Sequence, residues 1–344
     1  MATHPANPEA AADYGGPVYA GVDVGGTNTK IGLVDDAGRS LAYESIPTQQ
    51  ADGPQAAMRR AVATLDQLAE RIGRDRAGIA HLGLATPGPL DLERGMLLDP
   101  GNLPAWHETP IRAILAEAAG RDVLYANDAN AAAYGEFWSG AGERHDSLVM
   151  VTLGTGVGGG VIVGGRLIEG AHGAGGEIGH IIINSSDDAP LNSLGIRGTL
   201  EGYCGSYGVV GRAEAALADH FVESSLRHCL AEGEHLTPLL VANAAEAGDE
   251  LATKVVMDTA RYLAIGIVTC VHTLDPQAVI LGGAMTFGGA GHPLGERFLQ
   301  EVRTQAAARM IKSLAPRVAI EFAKLSGNAG YIGAAGLARA AAAP

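Results

Sequence analysis

Two segments of the chain share one hydrophobic pattern, in which a pair of apolar runs flanks a glycine-rich turn. In the first segment, 18–34, the runs surround a turn at 25–28. In the second segment, 147–165, they surround a turn at 154–159. Short β-rich runs separated by such turns are typical of β-hairpins. The pattern predicts two hairpins, and their similarity predicts two similar halves of the molecule.

Outside the hairpins the apolar spacing changes. Over 54–72 apolar residues recur at three- and four-residue intervals, which predicts a helix that covers the first sheet. The other predicted elements are strands at 40–47, 79–84 and 123–126, a strand and turn at 278–284, and helical segments at 110–119, 129–137, 207–271, 293–314 and 327–342. This order predicts α/β layering, with helices packed on mixed sheets.

Composition and charge narrow the class of protein. The 344 residues exceed the usual size of one core, so two domains are expected. A formal net charge of −14 repels nucleic-acid phosphates, and three widely spaced cysteines argue against a disulfide framework. No apolar stretch reaches about 18 residues, and the start lacks a leader pattern. We expect a cytoplasmic protein without nucleic-acid or membrane partners, whose residues 1–16 form a flexible arm.

The first turn has the chemistry of a phosphate site. Backbone N–H groups of a glycine turn can converge on phosphate oxygens, and Asp23 could hold a hydrated Mg²⁺ beside them. A tight hairpin turn without a ligand explains the same glycines. The predicted phosphate-contacting residues are Gly25, Gly26, Thr27, Asn28 and Lys30 in the first hairpin, and Gly154, Thr155 and Gly156 in the second.

The second turn also matches a different motif. Its glycines at 154, 156 and 159 have the spacing of the dinucleotide fingerprint, but that motif requires a helix next, and here a strand follows. No Walker-type phosphate loop occurs in the chain. Both common nucleotide motifs are therefore rejected.

Five motifs together resemble the ROK family of sugar kinases and repressors. They are DVGGTNTK at 23–30, TPGPLD at 86–91, NDANAAA at 127–133, LGTGVGG at 153–159 and EGAHGAGGEIGH at 169–180. The resemblance implies the two-domain, actin-like ATPase (ribonuclease H-like) fold of the actin, heat-shock ATPase and hexokinase superfamily, with an interdomain cleft. The expected small domain is 17–125 plus 328–344, and the expected large domain is 126–327.

The resemblance also implies roles for single residues. Asp128 matches the general base that takes the proton of the sugar hydroxyl, although an aspartate before a helix is also a common N-cap. Gly282 and Gly283 resemble the turn that contacts adenosine. The residues that match sugar ligands are Asn102, Asn127, Asp128, Glu177, His180 and Glu201.

The sequence departs from the family at a structural zinc site. The family commonly has Cys-x-Cys-Gly-x-x-Gly-Cys-x-Glu after this histidine, and three thiolates with the histidine bind zinc. Counting back from Glu201, the cysteine positions are Asn192, Leu194 and Thr199. We therefore expect no zinc, and His180 must be oriented by hydrogen bonds instead.

The resulting hypothesis is an ATP- and Mg²⁺-dependent kinase that converts glucose to glucose 6-phosphate and forms a homodimer. Mannose, fructose, allose, N-acetylmannosamine and N-acetylglucosamine are alternative substrates, and polyphosphate is an alternative donor. The alternative from a different class is a sugar-sensing ROK transcriptional regulator. A complete regulator would carry a DNA-binding segment before the first hairpin, where only a short arm stands, so this alternative would lack its DNA-binding domain. An ATPase of the actin type would lack the sugar motifs, and its ATP turnover would not require sugar.

Overall fold

The computed structural model describes residues 14–342, so residues 1–13 of the predicted arm lie outside the described part. The strands are β1 Val18–Val24, β2 Asn28–Val34, β3 Ser40–Pro47, β4 Ile79–Thr86, β5 Leu90–Asp91, β6 Met96–Leu97, β7 Val123–Asn127, β8 Leu148–Leu153, β9 Val157–Val163, β10 Arg166–Leu167, β11 Ala278–Gly282 and β12 Ala319–Phe322. The helices are α1 Pro54–Arg71, α2 Ile111–Ala119, α3 Asp128–Ser139, α4 Leu200–Cys204, α5 Ser206–Leu217, α6 Leu226–Ala231, α7 Pro238–Glu246, α8 Glu250–Leu274, α9 Pro293–Ala307 and α10 Ala329–Ala341.

The first hairpin builds a five-stranded mixed sheet in the order β3-β2-β1-β4-β7. Strands β1, β2 and β3 pair antiparallel, whereas β1, β4 and β7 pair parallel. The parallel part places the carboxyl ends of β1, β4 and β7 at one edge of the sheet. In open α/β sheets that edge is where ligands bind.

Alternate residues of β1 face two different helix layers. Val18, Ala20 and Val22 pack in one cluster with α1 and α2, while Tyr19 packs with α10. On the α10 side, the backbones of β1 and α10 approach so closely that a Cβ at Gly21 would overlap the backbone of α10. Small residues therefore permit the tight packing of α10 on the sheet, which accounts for part of the high glycine and alanine content.

The second sheet repeats the arrangement of the first, in the order β10-β9-β8-β11-β12. Its hairpin strands lie on one side, and β8, β11 and β12 pair parallel on the other. The predicted pair of similar halves is therefore present in the strand order. Helix α9 ends at Ala307, earlier than the helical segment predicted to 314.

Helix α8 is the central helix of the second half. Within residues 14–342 it is the one helix whose length and hydropathy would suit a membrane span. However, 61% of its most apolar window is buried, and it packs against α4, α5, α7 and α9. It therefore has the surroundings of a core helix.

The chain contacts divide the protein into two compact units. Among the described residues, the first comprises 14–145, 160–175 and 324–342, and the second comprises 146–159 and 176–323. This division groups 126–145 with the first hairpin and cuts β9 after Gly159, so it differs from the expected boundary at residue 126. The two-domain assignment made from the sequence stays a prediction.

Candidate active site

The carboxyl edge of the first sheet carries the predicted base. Asp23 of β1 pairs with Ala85 of β4, and Thr86 of β4 pairs with Asn127 of β7. Asp128 follows directly as the first residue of α3. Register and connectivity therefore bring Asp23 and Asp128 to the same edge of the sheet.

Asn127, and not Asp128, is the N-cap of α3. Its Oδ1 accepts hydrogen bonds from the backbone N–H groups of Ala129 and Asn130, at 2.9 and 3.2 Å. The Asp128 Oδ1 accepts a 2.8 Å bond from the Ala129 N–H, and Asp128 is half-buried. Because Asn127 already supplies the cap, capping no longer explains an aspartate at position 128.

Asp23 is a mostly buried carboxylate whose negative charge is offset by one lysine at the limit of ion-pair distance. Its side chain is 16% exposed, and the Lys30 Nζ lies 4.0 Å from its Oδ2. Burial raises the pKa of Asp23 to about 6, while the charge of Lys30 lowers it and that of Asp128 raises it. Such a group suits a ligand that brings positive charge, and hydrated Mg²⁺ bound to phosphates fits that description.

The first glycine turn is fixed on one side by Thr48. The Gly25 N–H donates to the Asn28 carbonyl at 2.9 Å and closes the turn. The Thr48 hydroxyl donates to the Gly25 carbonyl at 2.7 Å, and the Thr48 N–H donates to the Thr27 carbonyl at 2.9 Å. Thr27 and Asn28 are exposed. The turn is thus a held backbone with two accessible polar side chains, as a phosphate site needs.

Gly26 contacts the predicted sugar-binding segment. A Cβ at this position would lie 2.5 Å from the Asn102 carbonyl oxygen, so a larger residue would push the two segments apart. Asn102 is exposed, and the same segment is anchored by buried Trp106, whose Nε1–H donates to the Gln50 carbonyl at 3.0 Å. The fold therefore brings Asn102 beside the first glycine turn.

The second glycine turn is held by the start of α5. The Gly154 N–H donates to the Gly156 carbonyl at 3.0 Å, and the Ser206 N–H donates to the carbonyls of Gly154 and Thr155, both at 3.0 Å. A Cβ at Gly156 would overlap the Glu201 carboxylate, so a larger residue would displace that side chain or the turn.

The predicted adenosine turn lies against the second glycine turn. Gly283 has a φ of +91°, and a Cβ there would overlap the backbone of Leu153. The Met285 N–H donates to the Leu153 carbonyl at 2.9 Å. Gly282 and Gly283 are thereby brought next to the residue that precedes Gly154.

His180 and Glu177 form a pair on a short 3-10 turn. The His180 Nε2 lies 3.7 Å from the Glu177 Oε2, which is too long for a hydrogen bond. The other ring nitrogen, Nδ1, lies 2.9 Å from the Asn192 Nδ2. The His180 side chain is 27% exposed and that of Glu177 is 52% exposed, so a ligand can reach both groups.

Glu201 is a buried carboxylate, and both of its oxygens accept hydrogen bonds. It is 6% exposed, and its Oε1 accepts from the Ser193 hydroxyl and N–H and from the Tyr207 hydroxyl, at 2.7, 3.3 and 2.7 Å. Its Oε2 accepts from the Val157 N–H at 3.1 Å. Burial alone would raise the pKa of Glu201, but the hydrogen bonds of Ser193, Tyr207 and Val157 outweigh burial and lower it. Glu201 thus ties the second glycine turn to the loop 192–199, and its sugar-binding role stays a prediction.

The predicted residues form two sets, one in each compact unit. The first unit holds Asp23, the turn 25–28, Asn102, Asn127 and Asp128. The second unit holds the turn 154–156, Gly282, Gly283, Glu177, His180 and Glu201.

Most of the chain has counterparts among known proteins. A model of the ROK family matches residues 19–341. The chain belongs to the ROK family. It is 32% identical to the glucokinase of Halalkalibacterium halodurans, across 92% of this chain and 93% of that enzyme.

Solved ROK structures share the fold of this chain. The ROK hexokinase from Thermus thermophilus gives a TM-score of 0.78 at 32% identity, and the comparison covers 94% of this chain and 98% of that one. A ROK family glucokinase from Streptomyces griseus, solved in complex with glucose and AMPPNP, gives a TM-score of 0.75 at 32% identity, covering 94% and 99%. The actin-like ATPase fold predicted from the motifs is therefore confirmed.

ROK relatives differ in the sugar that their names record. The N-acetylmannosamine kinase of Citrobacter koseri is 30% identical, across 92% of this chain and 97% of that enzyme. Membership of the ROK family thus supports a sugar kinase and leaves the individual sugar open.

Three residues that organise this ROK site were not singled out by motif. Ser193 and Tyr207 engage Glu201, and Asn192 engages His180, although Asn192 was identified only as a replaced cysteine. A clue was present in the sequence, because a polar amide at 192 retains hydrogen-bonding capacity that Leu194 lacks.

Proposed function

We propose that this chain, an ATP-dependent sugar kinase of the ROK family, transfers the γ-phosphoryl group of ATP to glucose and yields glucose 6-phosphate. The observation that carries the proposal is the carboxyl edge of the first sheet, where Asn127 supplies the cap of α3 and Asp128 shares the edge with the mostly buried Asp23. The support for glucose is the 32% identity to glucokinases, one of which was solved with glucose and AMPPNP.

In the proposed mechanism Asp128 accepts the proton of the attacking sugar hydroxyl. Phosphoryl transfer needs mainly positioning and charge stabilisation, so one placed carboxylate suffices as the base. The held turns at 25–28 and 154–156 would bind phosphate oxygens through backbone N–H groups. Lys30, whose Nζ donates to the Gly327 carbonyl at 2.6 Å, would add positive charge.

Mg²⁺ is part of the same proposal. The Asp23 carboxylate, directly or through water, would hold the ion together with the phosphates. When bound, Mg²⁺ neutralises charge on the transferred group. The three-carboxylate or histidine cluster of an all-protein metal cage is not found among residues 14–342, and Mg²⁺ of kinases rarely uses one.

Each of the two sets of residues contains amides, carboxylates or a histidine that could bind a sugar hydroxyl. Asn102, Asn127, Glu177 and His180 supply donors and acceptors suited to hydroxyl groups. Glu201 has one occupied lone pair on Oε2 and three donors on Oε1, so at most one further contact is open to it. We assign Glu201 chiefly to holding the second phosphate turn.

N-acetylmannosamine is the second candidate substrate, because one relative at 30% identity is a kinase for that sugar. Mannose, fructose, allose and N-acetylglucosamine complete the set of acceptors to be compared, with polyphosphate as the alternative donor. A homodimer and a cytoplasmic location remain part of the proposal.

A substrate panel tests the proposal. The purified full chain is assayed with Mg-ATP and each sugar, and kcat/KM is compared. Glucose is expected to give the highest value. A higher kcat/KM for N-acetylmannosamine would replace glucose by that sugar, and turnover with none of the sugars would overturn the proposal.

A further inference from the structure

The amide of Asn192 has a determined orientation. Its Oδ1 accepts from the backbone N–H groups of Leu194 and Ile196, at 3.0 and 2.8 Å. Oδ1 must therefore be the oxygen, because an amide nitrogen cannot accept from two N–H groups. The other amide atom, Nδ2, then faces the His180 Nδ1 at 2.9 Å, and Asn192 is only 6% exposed.

This orientation settles which ring nitrogen of His180 carries the proton. The Asn192 Nδ2 can only donate, so the His180 Nδ1 must accept and stay without a proton. The neutral ring then carries its proton on Nε2, the atom that faces Glu177.

The zinc ligands of other family members do not fit here. Leu194 has no ligating atom and is 68% exposed. The Thr199 hydroxyl already accepts from the Gly202 N–H at 3.1 Å, as the N-cap of α4. The loop 192–199 is thus closed by hydrogen bonds at the position where a metal would otherwise hold it.

We propose that Asn192 positions His180 without the help of a metal ion. It fixes both the orientation of the ring and its Nε2–H tautomer, so that His180 can bind a sugar hydroxyl. The inference rests on the proposed sugar kinase function. It concerns a residue that acts through His180 and does not itself touch the sugar.

The tautomer matters because of the spacing to Glu177. An Nε2–H donor and a carboxylate acceptor 3.7 Å apart can share one hydroxyl, which accepts from the histidine and donates to the glutamate. With the opposite tautomer, Nε2 and the carboxylate would both be acceptors. One hydroxyl proton could not satisfy both, so the pair would lose a hydrogen bond to the sugar.

Asn192→Asp is the sharpest test. An aspartate keeps an oxygen for the N–H groups of Leu194 and Ile196, so the loop is retained, but it presents an acceptor to the His180 Nδ1. The matched control is Asn184→Asp, a nearby loop residue whose Nδ2 donates to the Tyr203 hydroxyl and not to His180.

The first readout is the ¹⁵N NMR signature of the His180 ring in the full-length protein, at mildly alkaline pH and assigned with His180→Gln. Wild type and Asn184→Asp should show a protonated Nε2 and an unprotonated Nδ1. Asn192→Asp should show the opposite tautomer, with a protonated Nδ1 and an unprotonated Nε2. An Nδ1–H tautomer in the wild type, or identical spectra for wild type and Asn192→Asp, would overturn the proposal.

The second readout is kinetic. At the same mildly alkaline pH, where the ring is neutral, Asn192→Asp should raise KM for the sugar about tenfold, the cost of one hydrogen bond, with KM for ATP unchanged. An unchanged KM for the sugar would contradict the proposal. The NMR result stands whether or not the chain phosphorylates a hexose, so the failure of the kinase hypothesis is recognised separately. Metal analysis completes the test, because about one zinc per chain would overturn the metal-free arrangement.

Discussion

Asp23 and Glu201 are both buried carboxylates next to a glycine turn, yet their surroundings differ completely. Asp23 has one ammonium group 4.0 Å away, and burial raises its pKa to about 6. Glu201 accepts four hydrogen bonds, and these overcome the effect of burial and lower its pKa.

The difference separates a ligand site from a structural link. A buried charge with a single distant ion-pair partner costs folding free energy, and such groups are concentrated at functional sites. A buried charge with several donors holds the groups that donate to it. By this criterion we expect Asp23 to take part in ligand binding, and we expect Glu201 to hold the second glycine turn in place.

The largest effect is expected from Asp128→Asn, which removes the proposed base. An amide cannot take the proton, so kcat should fall by about 10²–10⁴. Sugar affinity, measured by calorimetry, should change little because an amide still forms hydrogen bonds. Asp122→Asn, at an exposed aspartate just before β7, is the matched control and should retain normal activity. Loss of less than about fivefold in kcat for Asp128→Asn would contradict the assignment.

Asp23→Asn should separate activity from stability. We expect a large loss of activity, and at pH 7 a gain of about 1–3 kcal/mol in the free energy of unfolding, because the variant avoids burying a charge. The raised pKa means that the wild type loses stability as pH rises from about 4 to about 6. The advantage of Asp23→Asn should therefore vanish near pH 4. Denaturation at both pH values measures it, and a destabilised variant at pH 7 would argue against an uncompensated carboxylate.

Glu201→Gln should have the opposite pH signature. An amide places an NH₂ group against one of the donors, so the free energy of unfolding should fall by about 2–4 kcal/mol at pH 7. The lowered pKa of Glu201 gives stability that is present above the unfolded-state pKa and lost in acid, so the deficit should shrink as pH falls. A Glu201→Gln variant as stable as the wild type at pH 7 would contradict the structural role of Glu201.

The smallest effect is expected from Gly156→Ala. The new Cβ would overlap the Glu201 carboxylate and displace the turn, so KM for ATP should rise about tenfold or less. Gly211→Ala is the matched control, because this glycine lies exposed within α5 with no atom within 4 Å of an added Cβ. It should leave KM unchanged and stabilise the helix by about 0.5–1 kcal/mol. Equal KM values for the two variants would contradict the role of Gly156.

Local patterns predicted most of the fold. The helix at 54–72 and both hairpins follow from apolar periodicity, because one face of each element is buried against a neighbour. The end of α9 was placed too late, since helix boundaries depend on the packing of the last turn as much as on the pattern.

Contacts between distant residues could not be predicted from the sequence. The bond from Lys30 to the Gly327 carbonyl joins positions nearly the full chain apart. Likewise, motif matching pointed to Glu201 as a sugar ligand, but only the fold shows the donors of Ser193 and Tyr207 around it. Residue type gives the chemistry that is possible, and tertiary structure decides which partners use it.

The sugar dependence of ATP turnover distinguishes a sugar kinase from an ATPase of the actin type. ADP formation by the full chain is measured with Mg-ATP, with and without glucose, alongside the sugar phosphate formed. We expect one ADP per sugar phosphate and little ADP formation without sugar. ADP formation at the same rate without sugar would contradict a sugar kinase and favour an ATPase of the actin type.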